Sequence, residues 1–168
     1  RPIPLSDRVP VLENLGFSVI DERSYRIHPE FSGGVREVAL HDMMLESADG
    51  APIDLTQAGA RMEACYLAVN RGDADNDPFN ILVRLAGADW RDVSILRAYA
   101  AYMRQLRSPF GLRYIAETMN RHAGMARDLL ELFHLRFDPV RTADMAVREA
   151  GEAAIKVRIE SALANVQS

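Results

Sequence analysis

The chain has 168 residues, 48% of them hydrophobic and 26% charged, which suits one domain, or one small domain plus part of another, and argues against disorder. A net charge of −4 gives no electrostatic reason to expect nucleic acid as a partner. One cysteine, Cys65, excludes an internal disulfide framework and a cysteine-rich metal site, and no apolar run is long enough for a membrane-spanning helix.

Residues 5–16 read as a helix capped by Ser6 or Asp7, with Pro10 near its first turn and Gly16 as its stop. Phe17 to Ile27 alternates as a strand, with Phe17 and Val19 on one face and Ile20 on the other, and His28-Pro29 ends it. Ser32-Gly33-Gly34 is a turn signal. Val35 to Glu46 reads as a second strand, with Val38 and Leu40 opposite Ala39 and Met43. A helix feeding a hairpin is the middle of a β-α-β-β-α-β unit whose first strand would precede Arg1. The sheet would then have a raw edge or a face in need of cover.

At Ala48-Asp49-Gly50-Ala51-Pro52 the apolar period switches from 2 to 3.6. Asp54 with Gln57 resembles a capping box for a helix running to Gly72. Its apolar stripe is Leu55, Ala58, Met62, Cys65, Tyr66 and Val69, which makes Cys65 a packing residue. Asp73 to Asp77 is an acidic cluster without the central Gly and distal Glu of a calcium loop, so capping and solvated-turn roles are expected. Phe79 onward reads as a short helix, a stop at Gly87, a cap at Asp89 and a long helix to Gln105.

That long helix carries Val93, Ile95, Leu96, Tyr99, Ala100, Tyr102, Met103 and Leu106 over about half its circumference, so it is expected to be central and to touch neighbours on two sides. The remaining arc holds Arg97, Ser94, Gln105 and the small residues Ala98 and Ala101. Ser108-Pro109 ends the helix, and Leu112 to Asn120 is a shorter one. Met125 to Phe137 follows, with Met125, Leu129, Leu130, Leu132, Phe133 and Phe137 inward and Arg127, Glu131 and His134 outward. After the break at Pro139, residues 142–166 place Ile155, Ile159, Ala162 and Val166 as a short seam that must lie against something, a partner the sequence does not identify as inside or outside this chain.

Chemistry is sparse. The glycines form neither a Gly-x-Gly-x-x-Gly turn nor a Walker loop. His28, His41, His122 and His134 are scattered, with no metal-ligand spacing. His41-Asp42 is the one suggestive pair, and adjacent strand residues face opposite ways, as do Asp21 and Glu22. No serine sits in a Gly-x-Ser-x-Gly elbow. His134 reads as a surface residue near Glu131. No catalytic, cofactor-binding or metal-binding residue is assigned. The fold expected is mostly α: a small partial α/β piece, ferredoxin-like, over residues 1–47, and a multi-helix module over 48–168.

The sequence resembles part of the large NAD-specific bacterial glutamate dehydrogenases. The matching blocks are Leu5-Ser6-Asp7, Pro10-Val11-Leu12-Glu13-Asn14-Leu15-Gly16, Val19-Ile20-Asp21-Glu22, Tyr25, His41-Asp42, Phe79-Asn80, Leu82, Trp90-Arg91, Val93, Leu96-Arg97-Ala98-Tyr99, Gln105, Leu132-Phe133 and Arg136-Phe137-Asp138-Pro139. Phe31-Ser32-Gly33-Gly34 and Met43-Met44 depart from the family pattern. The resemblance implies a segment of the N-terminal regulatory half: the end of the last ACT-like domain, then the helical region. The parent would interconvert L-glutamate and NAD with 2-oxoglutarate, ammonium and NADH, as a cytoplasmic homo-oligomer.

No catalytic lysine carries over, because the only lysine is Lys156, on an amphipathic helix where a solvated role fits. No cofactor is expected in this segment; NAD belongs to the parent enzyme. The partners implied are other domains and subunits of that enzyme and a small amino-acid effector, without nucleic acid or membrane. The alternative is an interdomain spacer or oligomerisation module that binds no effector. Since the chain lacks an initial Met and stops inside a helical pattern, it reads as a piece of something longer.

Overall fold

A computed structural model describes residues 3–31, 34–35, 37–140 and 144–166. The first helix, α1, is Leu5–Asn14; it starts where the sequence places it, but its cap is not Ser6 or Asp7. Pro4 occupies the cap position, no side chain caps the helix, and Ser6 instead bonds Asp7. Pro10 therefore lies inside the helix, where its ring removes one i→i−4 bond on the exposed side. Strand β1, Phe17–Ile27, follows directly. Two-residue strands β2, Glu30–Phe31, and β3, Gly34–Val35, pair with each other. Strand β4, Val38–Ser47, then runs antiparallel to β1.

The expected hairpin is thus present, with Val35 in the small β2–β3 ladder rather than in β4. Of the expected turn, Ser32 and Gly33 lie outside the described residues. So do Arg1 and residues 142–143 of the last expected helix. The β1–β4 register runs from Phe17↔Ser47 to Ile27↔Val38, with a bulge between Val19 and Asp21. Among the described residues these two strands form a sheet of their own. Helix α1 covers one of its faces. On the other, Tyr25 and Leu40 sit opposite each other, both exposed, as are Ile20, Ile27 and Met44.

From residue 54 onward the chain is helical. Helix α2, Leu55–Arg71, is capped by Asp54, whose carboxylate accepts the Thr56 and Gln57 N–H groups, and ends at Gly72 with φ +79°. Leu55 falls off the expected stripe and is exposed, because it occupies the first turn beyond the reach of the core. A 3-10 turn, Pro78–Ile81, leads into α3, Leu82–Leu85, and Gly87 at φ +67° reverses the chain into α4, Trp90–Gln105. Helices α5, Leu112–Arg121, and α6, Ala123–Phe137, follow, and then α7, Met145–Ala164.

Helix α4 is central as expected, in contact with α2, α3, α5, α6 and the 3-10 turn. The main core gathers Val11 and Leu15 of α1, Met62 and Cys65 of α2, Phe79, Leu82 and Val83, Val93, Leu96 and Ala100 of α4, Ile115 and Ala116 of α5, and Ala126 and Leu130 of α6. One cluster therefore joins the first helix to the helical module. The partner of α7 is α6. The two run antiparallel, with Ile155 buried, Gly151 against Leu135, and Arg158 paired to Asp128 and Glu131. The seam lies on Gly151, Ile155, Ile159 and Ala162, while Val166 stays exposed.

Candidate functional site

Five arrangements of side chains are candidates, and each is built from elements whose local sequence sets its position.

The first is the joint between the sheet piece and the helices. Gly16 adopts φ +90° after α1, and a Cβ placed there would stand 2.8 Å from the Ile81 side chain, so only glycine lets the chain turn this close to the 3-10 turn. After β4, Asp49 receives Arg84 through both guanidinium nitrogens, at 2.7 and 3.3 Å. That guanidinium, helped by the Ser47 hydroxyl and the Ala51 N–H, holds the Asp49 carboxyl far below the usual carboxylate range. Asn14 donates to Asn76 at 2.9 Å.

The second lies between α1 and the sheet. Glu22 accepts from Arg8 at 2.8 Å and from Ser24 at 3.0 Å, and the same oxygen lies 3.0 Å from His41 Nδ1. Ser24 Oγ is 2.7 Å from that ring nitrogen. The Arg8 hydrogen bond is the main reason Glu22 titrates below its ordinary range. Serine, histidine and glutamate together invite a nucleophile–base–acid reading, and the geometry rejects it. In such a triad the nucleophile and the acid engage opposite ring nitrogens; here both meet Nδ1, and Nε2 is buried without a partner. Asp42 belongs to the other face, with Asp21 and Arg23, as the alternation requires.

The third is an ion pair beneath the long helix. Arg97, expected on a polar outer arc, is buried. Its Nε and Nη2 donate to the two oxygens of Asp77 at 2.6 and 2.9 Å, and Nη2 also donates to Asn80 Oδ1 at 3.0 Å. Asp77 in turn caps the 3-10 turn by accepting the Phe79 N–H, and Asn80 donates to the Asp75 carbonyl. The acidic cluster thus does cap, and one of its members is also tied to a buried cation. Among the described residues no group of three or more His, Cys, Asp or Glu is arranged to hold a metal ion.

On α6, His134 Nε2 meets Asp92 of α4 at 2.7 Å, not Glu131, which pairs with Arg158. The adjoining hollow is lined by Ala86, Gly87, Ala88, Arg127, Leu130 and Glu131, and among the described residues its lining holds no hydroxyl or thiol side chain. Arg127 donates to the Ala86 carbonyl at 3.1 Å. The dyad joins two helices.

The fifth is a groove of about 360 Å³ between α4, α5 and α6. Ile95, Leu96, Tyr99, Ala100 and Met103 form one wall, Ile115 and Met119 the floor, and Leu129, Leu132, Phe133, Arg136 and Phe137 the other wall. Tyr99 meets Phe133 edge-on at 6.2 Å, and Phe133 lies 5.0 Å from Phe137. Tyr99, Tyr102, Met103, Leu106 and Phe137, all expected inward, are 42–65% exposed. Helical spacing assigned them correctly to an apolar stripe; among the described residues that part of the stripe is left uncovered. Arg97 carried a readable signal, since it lies four residues after Val93 and three before Ala100, both buried. Its partner, twenty residues away, did not.

Cys65 is fully buried within α2, and burial pushes its thiol up to about 11. Lys156 is half exposed and pairs with Glu152 on its own helix. No helix among the described residues is long and apolar enough to cross a membrane.

Comparison with known proteins finds two family models on this chain. Residues 1–58 match the glutamate dehydrogenase ACT3 domain, and residues 74–139 match glutamate dehydrogenase helical motif 3. The NAD-specific glutamate dehydrogenase of Pseudomonas aeruginosa is 39% identical over 166 residues, covering 99% of this chain and 10% of the relative. That of Halomonas elongata is 41% identical over 138 residues, 82% of this chain and 8% of the relative. That of Mycobacterium tuberculosis is 32% identical over 163 residues, 94% of this chain and 10% of the relative. The chain therefore spans about a tenth of the length of these curated relatives.

Proposed function

Because the chain belongs to the family of NAD-specific glutamate dehydrogenases, we propose that it is a non-catalytic regulatory and assembly segment of such an enzyme. In this reading an ACT-like piece, residues 1–47, is mounted on a helical module, residues 48–168. The parent enzyme converts L-glutamate and NAD to 2-oxoglutarate, ammonium and NADH, as a cytoplasmic homo-oligomer, with NAD and the reacting groups outside this segment. The observation that carries the reading is the shared core. Val11 and Leu15 of the ACT-like piece pack into the same cluster as α2, the 3-10 turn and α4, and Arg84 clamps Asp49 across the joint.

A small amino-acid effector held by the ACT-like piece would favour one of its positions over another. The continuous core would pass that preference to the helices without a change in their internal packing. The effector can act only through its different affinity for two arrangements of the whole enzyme. Titration of the intact enzyme with amino acids, wild type against a form lacking residues 1–47, tests this. Loss of the effector response with activity retained supports a sensor; an unchanged response supports the alternative, a spacer that binds no effector. NADH production by this chain alone would refute the non-catalytic assignment.

A further inference from the structure

We propose that the groove between α4, α5 and α6 seats an amphipathic helix with carboxylate-bearing flanks, contributed by a polypeptide segment other than these 168 residues. This names a partner for the assembly role above and rests on that reading. The apolar stripe of α4 runs from half-buried Ile95 past the cavity to exposed Leu106 at the helix C-cap, about 16 Å along the axis. That length takes about three turns of a partner whose apolar side chains recur at i, i+3, i+4 and i+7. A small ligand would fill the hollow and leave Tyr102 and Leu106 bare. Tyr, Phe, Met and Arg are also the residue types that concentrate at the centre of protein interfaces.

Charge selects the partner. Arg136 is the one charged residue in the groove lining, more than half exposed and only loosely near Glu152, at 3.9 Å. From Asp92 to Glu117 the chain carries four arginines and two carboxylates, a local +2 in a chain of net −4. Arg97 is neutralised by Asp77 and Arg113 by Glu117. Arg104 lies on the same side of α4 as Arg97, away from the groove, whereas Arg107 follows Leu106 at the end of the stripe with φ +61° and makes no ion pair among the described residues. A second copy docking by two-fold symmetry would bring this cationic surface against itself, whereas glutamate-bearing flanks would match it.

The test uses the whole chain and two labelled helical peptides with the same leucine face, one with glutamate and one with lysine at the remaining positions, read by fluorescence anisotropy. The glutamate peptide is expected to bind at least about tenfold more tightly, with a preference that shrinks as salt is raised. Met103→Glu should abolish binding and the pair Arg107→Glu with Arg136→Glu should erase the preference. Both should leave the melting temperature unchanged, since these side chains are exposed. Equal binding of the two peptides, or binding of neither, overturns the proposal. So does concentration-dependent dimerisation that Met103→Glu removes, which would make a second copy the occupant. None of these failures bears on the effector response of the intact enzyme, which tests the regulatory reading separately.

Discussion

Replacing Arg97 with Met keeps most of the aliphatic stem and deletes the guanidinium, which lies over the Phe79 ring at 5.9 Å. Three short hydrogen bonds disappear: two to Asp77 and one to Asn80. Removing one member of a fully buried pair costs about 3–5 kcal/mol. Asp77 keeps 29% of its side chain in solvent, so water recovers part of its solvation. Asn80 is 1% exposed, and its carbonyl oxygen is left without a donor. These terms put the loss at about 3 kcal/mol.

For 168 residues that corresponds to a fall of about 8 °C in melting temperature. Calorimetry of R97M, D77N and the double variant would measure the coupling directly, with an interaction energy of at least about 1.5 kcal/mol expected. R113M is the control: its pair with Glu117 lies on one exposed helix face and should be worth less than about 0.5 kcal/mol. If the two single losses add to within about 0.5 kcal/mol of the double, the pair does not act as a unit and the reasoning fails.

Other outcomes follow from the same structure. Gly16→Ala should destabilise by about 2–4 kcal/mol, combining positive φ with a Cβ against Ile81, while Gly87→Ala, whose Cβ would meet nothing closer than 3.8 Å, should cost about 1 kcal/mol; equal losses in urea titration would remove the steric part of the argument. Glu22 and Asp49 titrate below their ordinary values in the folded chain because of Arg8 and Arg84. Their stabilisation is therefore complete above the ordinary carboxylate range and is lost as pH falls through the folded values. The variant carrying Glu22→Gln and Asp49→Asn should show a flatter acid limb in denaturation midpoint against pH, and an unchanged limb would contradict the assignment. Cys65 should resist thiol reagents near neutral pH until denaturant opens the helices, so labelling of the folded chain at the rate of a free thiol would disprove its burial.

The sequence alone determined the long elements and several of their ends, though not the small β2–β3 ladder. Period 2 marked β1 and β4, period 3.6 marked every long helix, and Gly72, Gly87, Asp54 and Pro139 set boundaries through backbone conformation or capping. It also carried the family resemblance, in blocks spread from Leu5 to Pro139. Tertiary structure decided the rest: that α7 folds back on α6, that Arg97 lies inward against Asp77, that His134 answers Asp92, and that Tyr99, Met103 and Phe137 line an open groove. The reason is one of range. A side chain's position on its own helix is fixed by residues three and four away, but its burial depends on which distant surface reaches it, and no local spacing encodes that.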